Sequence, residues 1–462
     1  MGLLEQIREI VGDTGLVTGD DVTKRPADWL GSISCVAKAV IRPSSTQELS
    51  DVMKLCHAAR QPVVPTGGLT GLVHGGVATG DELQISFERM RAIEEIDPVG
   101  KTAIVQAGAP LQTVHEAVAE HGLIYGVDLG ARGSCTIGGN ISTNAGGNTV
   151  IRYGMTRENI LGLEAVLADG TIVSSMNTLL KNNAAYDLKQ LFIGSEGTLG
   201  LVTRAVLRLQ PAPVSDATAI LAIESFDQLK TFFSITSSRL GSLVRSFEVM
   251  WRDYYEMIGV ESGRHQPPLP GGHAIYVIVE IAGIDRERDT ALFTEVLGEA
   301  LEQEIATDAV IATSRAQRDA IWAIREDIEG QIRAMMPGIT FDVSLPIVRM
   351  DDYINKLKES LAPTCGKDSM MAVFGHLGDS NLHLLVAPRP WNEDAKHRAE
   401  EMVYQPLADL GGSVSAEHGI GLDKREWLPL SRKPEELALM RQIKSALDPQ
   451  NLLNRGRVLG DA

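Results

Sequence analysis

Two histidines, His376 and His383, flank a tight turn in FGHLGDSNLHL (Phe374 to Leu384), and a Glu-His pair, Glu417 and His418, follows in SAEHGIG (Ser415 to Gly421). With Asp379-Ser380 as a two-residue hairpin loop, pairing runs Gly378 to Asn381, Leu377 to Leu382 and His376 to His383, so both imidazoles project from one face. Directly opposed residues have Cβ atoms ~4.5–5.5 Å apart, close enough to share a cation. Glu417 as a third ligand completes a divalent metal site with coordination left open for substrate, as catalytic sites require. Mixed His/carboxylate ligation suits zinc without excluding manganese, iron or cobalt. His418 is then free to move protons. The competing reading is a hydrogen-bonded structural pair of histidines. Gly375 and Gly378 allow close backbone approach, and Asp379 and Asn381 can anchor turn or ring N–H groups.

Arg325 lies four residues after Ile321 and three before Ile328, in phase with the apolar stripe of its helix. An arginine there needs an anion, and its planar guanidinium suits a carboxylate held through two bonds. The two readings are a substrate clamp and an ion pair with Glu329 one turn on.

Glycine clusters mark a second kind of chemistry. PTGGLTGLVHGG (Pro65 to Gly76) places five glycines after a strand-like VV, a run of backbone N–H groups suited to a diphosphate. GARGSCTIGGNISTNAGGNTVIRYG (Gly130 to Gly154) adds seven more, interleaved with Ser134, Thr136, Asn140, Ser142, Thr143 and Asn144, small groups able to bond ribityl and ring polar atoms. Either cluster alone marks tight turns; together they read as a long cofactor threaded along backbone. Neither cluster, nor GSEGTLG (Gly194 to Gly200), has the G-x-G-x-x-G spacing of a Rossmann unit, which argues against a nicotinamide.

The elements that must position these groups divide by texture. The chain of 462 residues is too long for one ordinary core. Before about residue 210, glycine clusters sit among short strands: AVIRPSS, QPVVPTGG, TAIVQAGAP and ENILGLEAVLADGTIV. LVTRAVLRLQPAPV (Leu201 to Val214) reads as a linker on its prolines. Beyond it, strands DATAILAIESF, VRSFEVMW, HAIYVIVEIAG and ITFDVSLPI alternate with helices FDQLKTFFSITSSRL, DRERDTALFTEVLGEALEQE, RAQRDAIWAIREDIEGQIRAMM and DDYINKLKESL. That order predicts an α+β domain with one face of an antiparallel sheet helix-covered. The expected domains are 1-210, 211-410 and a C-terminal segment, 411-462.

A net charge of −17 without a basic stripe makes nucleic acid and anionic lipid poor partners. Cys35, Cys56, Cys135 and Cys365 are scattered, which suggests neither disulfides nor a Cys-ligated metal and fits a reducing, cytoplasmic compartment. No stretch approaches a membrane span, and peripheral docking on an inner membrane stays compatible.

PTGGLTGL, GSCTIGGNISTNAGG, LFIGSEGTLGLVT, GHLGDSNLH and AEHGIG, in this order, resemble the FAD-linked oxidases of the vanillyl-alcohol oxidase type. More narrowly they resemble the D-2-hydroxy acid dehydrogenases that act on D-lactate or D-2-hydroxyglutarate. The resemblance runs from about Arg42 to the LDPQNLLN tail. It implies an FAD domain of two α/β subdomains, an α+β substrate domain with a large antiparallel sheet, and a C-terminal segment returning to the FAD domain. It also implies oxidation of a D-2-hydroxy acid to the 2-oxo acid. Carried over by position, Pro65, Thr66, Gly67, Gly68, Thr70 and Gly71 would cradle the FAD diphosphate. Gly133, Ser134, Thr136, Gly139, Asn140 and Thr143 would line diphosphate and isoalloxazine, with Gly200, Val202 and Asn454 also against the cofactor. Leu69 stands where related enzymes that tether flavin carry a histidine, so the FAD is expected to be non-covalent and His74 structural.

In the implied reaction the alcohol proton leaves to His418, hydride passes to flavin N5, and a cation on His376, His383 and Glu417 lowers the hydroxyl pKa. Similar enzymes acting on 2-hydroxyglutarate carry Thr, Lys and Asn where this chain has Glu329, Thr340 and Leu385, which shifts the expected substrate toward D-lactate or a larger apolar relative. The rivals are a flavin-dependent transferase like alkylglycerone-phosphate synthase and a non-catalytic flavin-binding subunit. The expected electron acceptor is a quinone, a cytochrome or an electron-transfer flavoprotein. Oligomeric state is open, with a homodimer entertained.

Overall fold

The computed structural model describes residues 1–460 and divides the chain into two compact units. Unit 1 comprises Met1–Gly147, Gly154–Ala212 and Glu417–Ala462; unit 2 comprises Asn148–Tyr153 and Pro213–Ala416. The second glycine run is thus cut by six residues that belong with unit 2.

Unit 1 holds two sheets. In the first, Ala39–Ile41, Leu83–Ser86 and Val63–Thr66 are parallel neighbours and Leu16–Val17 adds an antiparallel edge. Parallel strands need crossovers, and Thr46–Ala58 is one, capped by Ser45 and buried through Leu49, Val52, Met53 and Cys56. The amphipathic helix Leu3–Val11 packs Ile7 and Val11 into the same core, and a parallel bridge from Val63 to Leu453 brings the tail alongside. The second sheet is antiparallel, in the order Ile93–Asp97, Thr102–Gln106, Leu201–Pro211, Ile160–Val166 and Ile172–Ser175. Its centre is the segment expected to be a linker. Leu201–Pro211 is an eleven-residue strand whose alternating apolar residues fill the core, with proline only at its last position. Proline lacks an N–H, so it ends the ladder without disturbing what precedes it.

Unit 2 is built on a seven-stranded antiparallel sheet, ordered Asp308–Ile311, Ser215–Ile223, Ile275–Gly283, Val244–Trp251, Met370–His376, Asn381–Ala387 and Ile339–Ser344. One face takes long helices: Phe232 of helix Phe226–Leu240 meets Phe247, and Tyr404 of helix Glu393–Leu410 meets Phe341. The opposite face is not bare, as one-sided covering would have it. Helices Arg315–Arg325 and Ile328–Met335 bury Ile321, Trp322, Ile324 and Met335 against Ile220, Ile278, Met250, Phe374 and Leu385. These two were expected as one helix. The break comes at Asp327, whose carboxylate caps the second helix at the Gly330 N–H (2.8 Å) and also takes Arg264 and His265. Three competing donors outweigh continuation of the helix through this residue.

Candidate active site

The unit 2 cluster grows from one face of its sheet. Met370–His376 and Asn381–Ala387 pair in the register His376 to Asn381, Gly375 to Leu382 and Phe374 to His383. The loop is therefore four residues, with a 3-10 turn over Leu377–Asp379 and Ser380 at φ 69°, not the two-residue turn expected. The shift from the expected pairing is two residues, which preserves facing because side chains alternate with period two. His376 and His383 still share a face, now as diagonal neighbours with ring centroids 5.3 Å apart and planes at 79°. They are 5% and 7% exposed. Gly375 is required by packing, since a Cβ would lie 2.3 Å from the Asn381 carbonyl; at Gly378 a Cβ would lie 2.4 Å from Ile151 Cδ1, the end of a side chain that can move aside.

The adjacent strand supplies a residue that sequence reading missed. Glu248 stands directly opposite His376 in the ladder and is 1% exposed. Its Oε1 lies 2.7 Å from His376 Nδ1, and its Oε2 accepts from Arg325 Nε at 3.0 Å with Nη2 ion-paired 2.9 Å away. Arg325 is thus paired with Glu248 and not with Glu329, which is exposed and bound to Arg264 and Arg333. The guanidinium also lies 4.5 Å over the Phe374 ring. Burial pushes the Glu248 pKa up, but neighbouring His376 and Arg325 outweigh it and hold the carboxyl below its usual range. Only strand periodicity hinted at Glu248, a charged residue amid FEVMW; its partners are distant in sequence.

Two further polar groups share this face. Asn381 is buried, and among the described residues neither its amide nitrogen nor its oxygen has a partner. A buried unsatisfied amide is costly, so a ligand is the natural complement. Asp342, opposite His383, accepts from the Ser415 hydroxyl (3.2 Å) and the Ala416 N–H (3.1 Å), the two residues immediately before Glu417. The donor set of two buried imidazoles on one face fits a borderline-soft divalent cation.

In unit 1 the glycine motifs converge. Among the described residues, the backbone N–H groups of Gly67, Gly68, Leu69, Thr70 and Gly71 donate to no protein acceptor. Leu69 sits at φ 56°, the left-handed turn that lets successive N–H groups point inward as an anion nest. Gly68 presses on the second run, where a Cβ would fall 1.9 Å from the Ser134 carbonyl. Gly71 and Gly133 differ: neither has a positive φ, and a Cβ at either meets no protein atom within 4 Å. Packing does not require glycine there, and the open space leaves room for a group lying against the backbone. This nest fits a diphosphate, and hence FAD.

The remaining candidates take local roles as well. Thr136 caps Ile137–Thr143 at the Gly139 N–H (3.3 Å), Thr143 bonds back to the Gly139 carbonyl, and Asn140 is buried. Gly200 makes room for the Phe192 ring, and Val202 lies in the core. Pro65 and Thr66 end the strand that feeds the nest, and Asn454 bonds the Val63 and Glu196 backbones while its buried Oδ1 stays unpartnered.

The segment carrying Glu417 and His418 is fixed by Glu196, also unforeseen. Its carboxylate accepts from Ile420 N–H at 2.7 Å and Gly421 N–H at 2.8 Å, and enclosure raises its pKa. Glu417 accepts from Gly147 N–H at 2.6 Å, and His74 pairs with Asp423 at 2.7 Å. No helix among the described residues is long and apolar enough to cross a membrane.

Residues 37–175 match the FAD binding domain model, and residues 212–458 match that of the C-terminal domain of FAD linked oxidases. A D-2-hydroxyglutarate dehydrogenase of Xanthomonas citri pv. viticola is 39% identical over 436 residues, covering 93% of this chain and 91% of the relative. The mitochondrial D-2-hydroxyglutarate dehydrogenase of Bos taurus is 35% identical, covering 99% and 83%. A putative mitochondrial D-lactate dehydrogenase of Schizosaccharomyces pombe is 34% identical, covering 97% and 88%. Among solved structures, p-cresol methylhydroxylase superposes with TM-score 0.78 at 16% identity over 99% of this chain and 96% of its own. An alkyldihydroxyacetonephosphate synthase gives 0.74 at 15% identity, covering 98% and 84%. At such identities the likeness speaks for the fold alone.

Proposed function

Since this chain belongs to the FAD-linked D-2-hydroxy acid dehydrogenase family, we propose that it oxidises a D-2-hydroxy acid to the 2-oxo acid with FAD and a divalent cation, zinc first among candidates. The observation that carries the reading is that one chain whose relatives bear that activity contains both a backbone nest in unit 1 and, in unit 2, a buried His376–His383–Arg325–Glu248 cluster.

FAD, which the Gly67–Gly71 nest would hold by its diphosphate, would supply the two-electron acceptor for oxidation at the substrate's Cα. His376, His383 and Glu417 are the residues that would hold a cation, which would supply Lewis acidity toward the substrate oxygens. The protein's own groups do the rest. Arg325 has Nε and Nη2 committed to Glu248, so its Nη1 edge offers the substrate carboxylate a charge-assisted bond. Asn381 adds an amide donor on the same face. His418 takes the hydroxyl proton, an imidazole being able to accept it near neutral pH. Leu69 has no group able to bond flavin, so the cofactor is held non-covalently.

The substrate's side chain is expected to be apolar. Leu385 lies in the apolar cluster of the sheet face, and Glu329 is taken up by Arg264 and Arg333, so neither offers a distal carboxylate a donor. D-lactate or a longer monocarboxylic relative fits better than D-2-hydroxyglutarate. The acceptor that reoxidises the flavin is a quinone, a cytochrome or an electron-transfer flavoprotein.

Anaerobic bleaching of the yellow enzyme by a panel of D- and L-2-hydroxy acids tests this reading. Bleaching by D isomers alone, fastest with apolar side chains, supports it; a flavin that no 2-hydroxy acid reduces overturns it.

A further inference from the structure

We propose that Glu248 is a positioning residue that locks His376 in the Nδ1–H tautomer, keeping the Nε2 lone pair directed at the cation site. The inference deepens the metal reading above and rests on it for the identity of the ligand, while its tautomer claim stands on geometry alone.

Two neighbours of His376, Glu248 and Arg325, have fixed and opposite hydrogen-bonding character. Glu248 faces Nδ1 at 2.7 Å, and an ionised carboxylate only accepts, so Nδ1 must carry the proton. Arg325 Nη2 lies 3.4 Å from Nε2, and a guanidinium only donates, so Nε2 must present its lone pair. Both contacts dictate the same neutral form. An Nε2–H ring would oppose N–H to N–H on one side and leave a lone pair facing a carboxylate on the other. The group is held by the sheet: Glu248 and His376 are register partners, and both are at least nine-tenths buried. At 3.4 Å the arginine contact is long, so a cation can displace it at the cost of one weak bond.

Glu248 also cannot be replaced by its amide. Arg325 and the Nδ1–H of His376 both need an acceptor, and glutamine has one oxygen where glutamate has two. The charged arginine claims that oxygen and turns the amide NH2 toward Nδ1, and this short contact (2.7 Å) outweighs the long Arg325 Nη2 contact (3.4 Å), driving the proton to Nε2. The lone pair required by a cation is then lost. Orienting carboxylates behind metal-bound histidines typically affect affinity 10–100-fold.

The test uses the FAD-loaded protein with 15N-labelled histidine. Ring nitrogen shifts identify the tautomer of each histidine in the metal-free state, and His376→Asn assigns the signal. The expected result is Nδ1–H for His376 in the wild type, conversion to Nε2–H in Glu248→Gln, and zinc affinity lowered ~10–100-fold there with FAD content kept. Glu248→Asp, which retains two acceptor oxygens, should recover most of the affinity. An Nε2–H signal in the wild type overturns the proposal, as does wild-type zinc affinity in folded Glu248→Gln. If Glu248→Gln fails to fold, the wild-type spectrum still decides. Failure of the wild type to bind zinc, manganese or cobalt, with His376 in the Nδ1–H form, rejects the metal reading and leaves the tautomer lock standing.

Discussion

His376 and His383 stand diagonally across their hairpin, ring centroids 5.3 Å apart, because His376 opposes Asn381 and His383 opposes Phe374. Diagonal same-face neighbours are within reach of a shared cation when both side chains are long enough to lean together. Replacing either histidine by alanine should lower divalent-cation affinity by more than ~100-fold while FAD stays bound. Metal analysis of freshly purified proteins checks this, and cation content equal to wild type in both variants removes the pair from metal binding.

His418→Asn should slow flavin reduction by D-2-hydroxy acids by ~10²–10⁴ without lowering FAD content. Stopped-flow absorbance of the anaerobic enzyme reads the rate. Unchanged reduction would mean the hydroxyl proton leaves by another route.

Arg325→Met strips the partner from a buried carboxylate, so it should cost ~3–5 kcal/mol of stability in addition to raising the substrate KM. The double variant Arg325→Met/Glu248→Leu removes both charges and, assayed with zinc in excess so that loss of Glu248 behind His376 does not limit the cation, separates the effects. Stability should largely return while KM stays high. If KM returns as well, the arginine serves the ion pair and not the substrate.

Two glycines of one run should fail differently. Gly68→Ala drives a methyl group into the Ser134 carbonyl and should destabilise even the cofactor-free protein by ~1–3 kcal/mol. Gly71→Ala meets no protein atom, so it should leave that stability intact and weaken FAD binding. Thermal melts with and without FAD distinguish the two, and full FAD affinity in Gly71→Ala would show that the nest lies elsewhere.

Asp327 offers a pH test. Burial raises its pKa, but Arg264, the Gly330 N–H and His265 more than offset that and hold it at about 2, well below the usual carboxylate range. A depressed folded-state value means stability present above the unfolded pKa and lost as pH falls through the folded one. Asp327→Asn should therefore cost about 2 kcal/mol at neutral pH, with the gap to wild type closing between about pH 4 and pH 2. A gap that is independent of pH in denaturant titrations would assign the loss to packing.

The chain itself announced whatever depends on neighbours in sequence. Helices Phe226–Leu240 and Arg286–Glu302 and strands Ser215–Ile223 and Val244–Trp251 follow from periodicity and capping, and the glycine and histidine motifs name their chemistry through residue type and spacing. Tertiary structure decided what depends on distant partners. Leu201–Pro211 becomes a central strand because two others flank it, and the helix around Asp327 breaks because Arg264 and His265 arrive from a remote loop. Glu248 becomes the partner of Arg325 and His376 across sequence separations of 77 and 128 residues. Local propensity is a sum over adjacent residues, whereas the partner of a buried charge is settled only when the sheet closes and water is no longer available to compete.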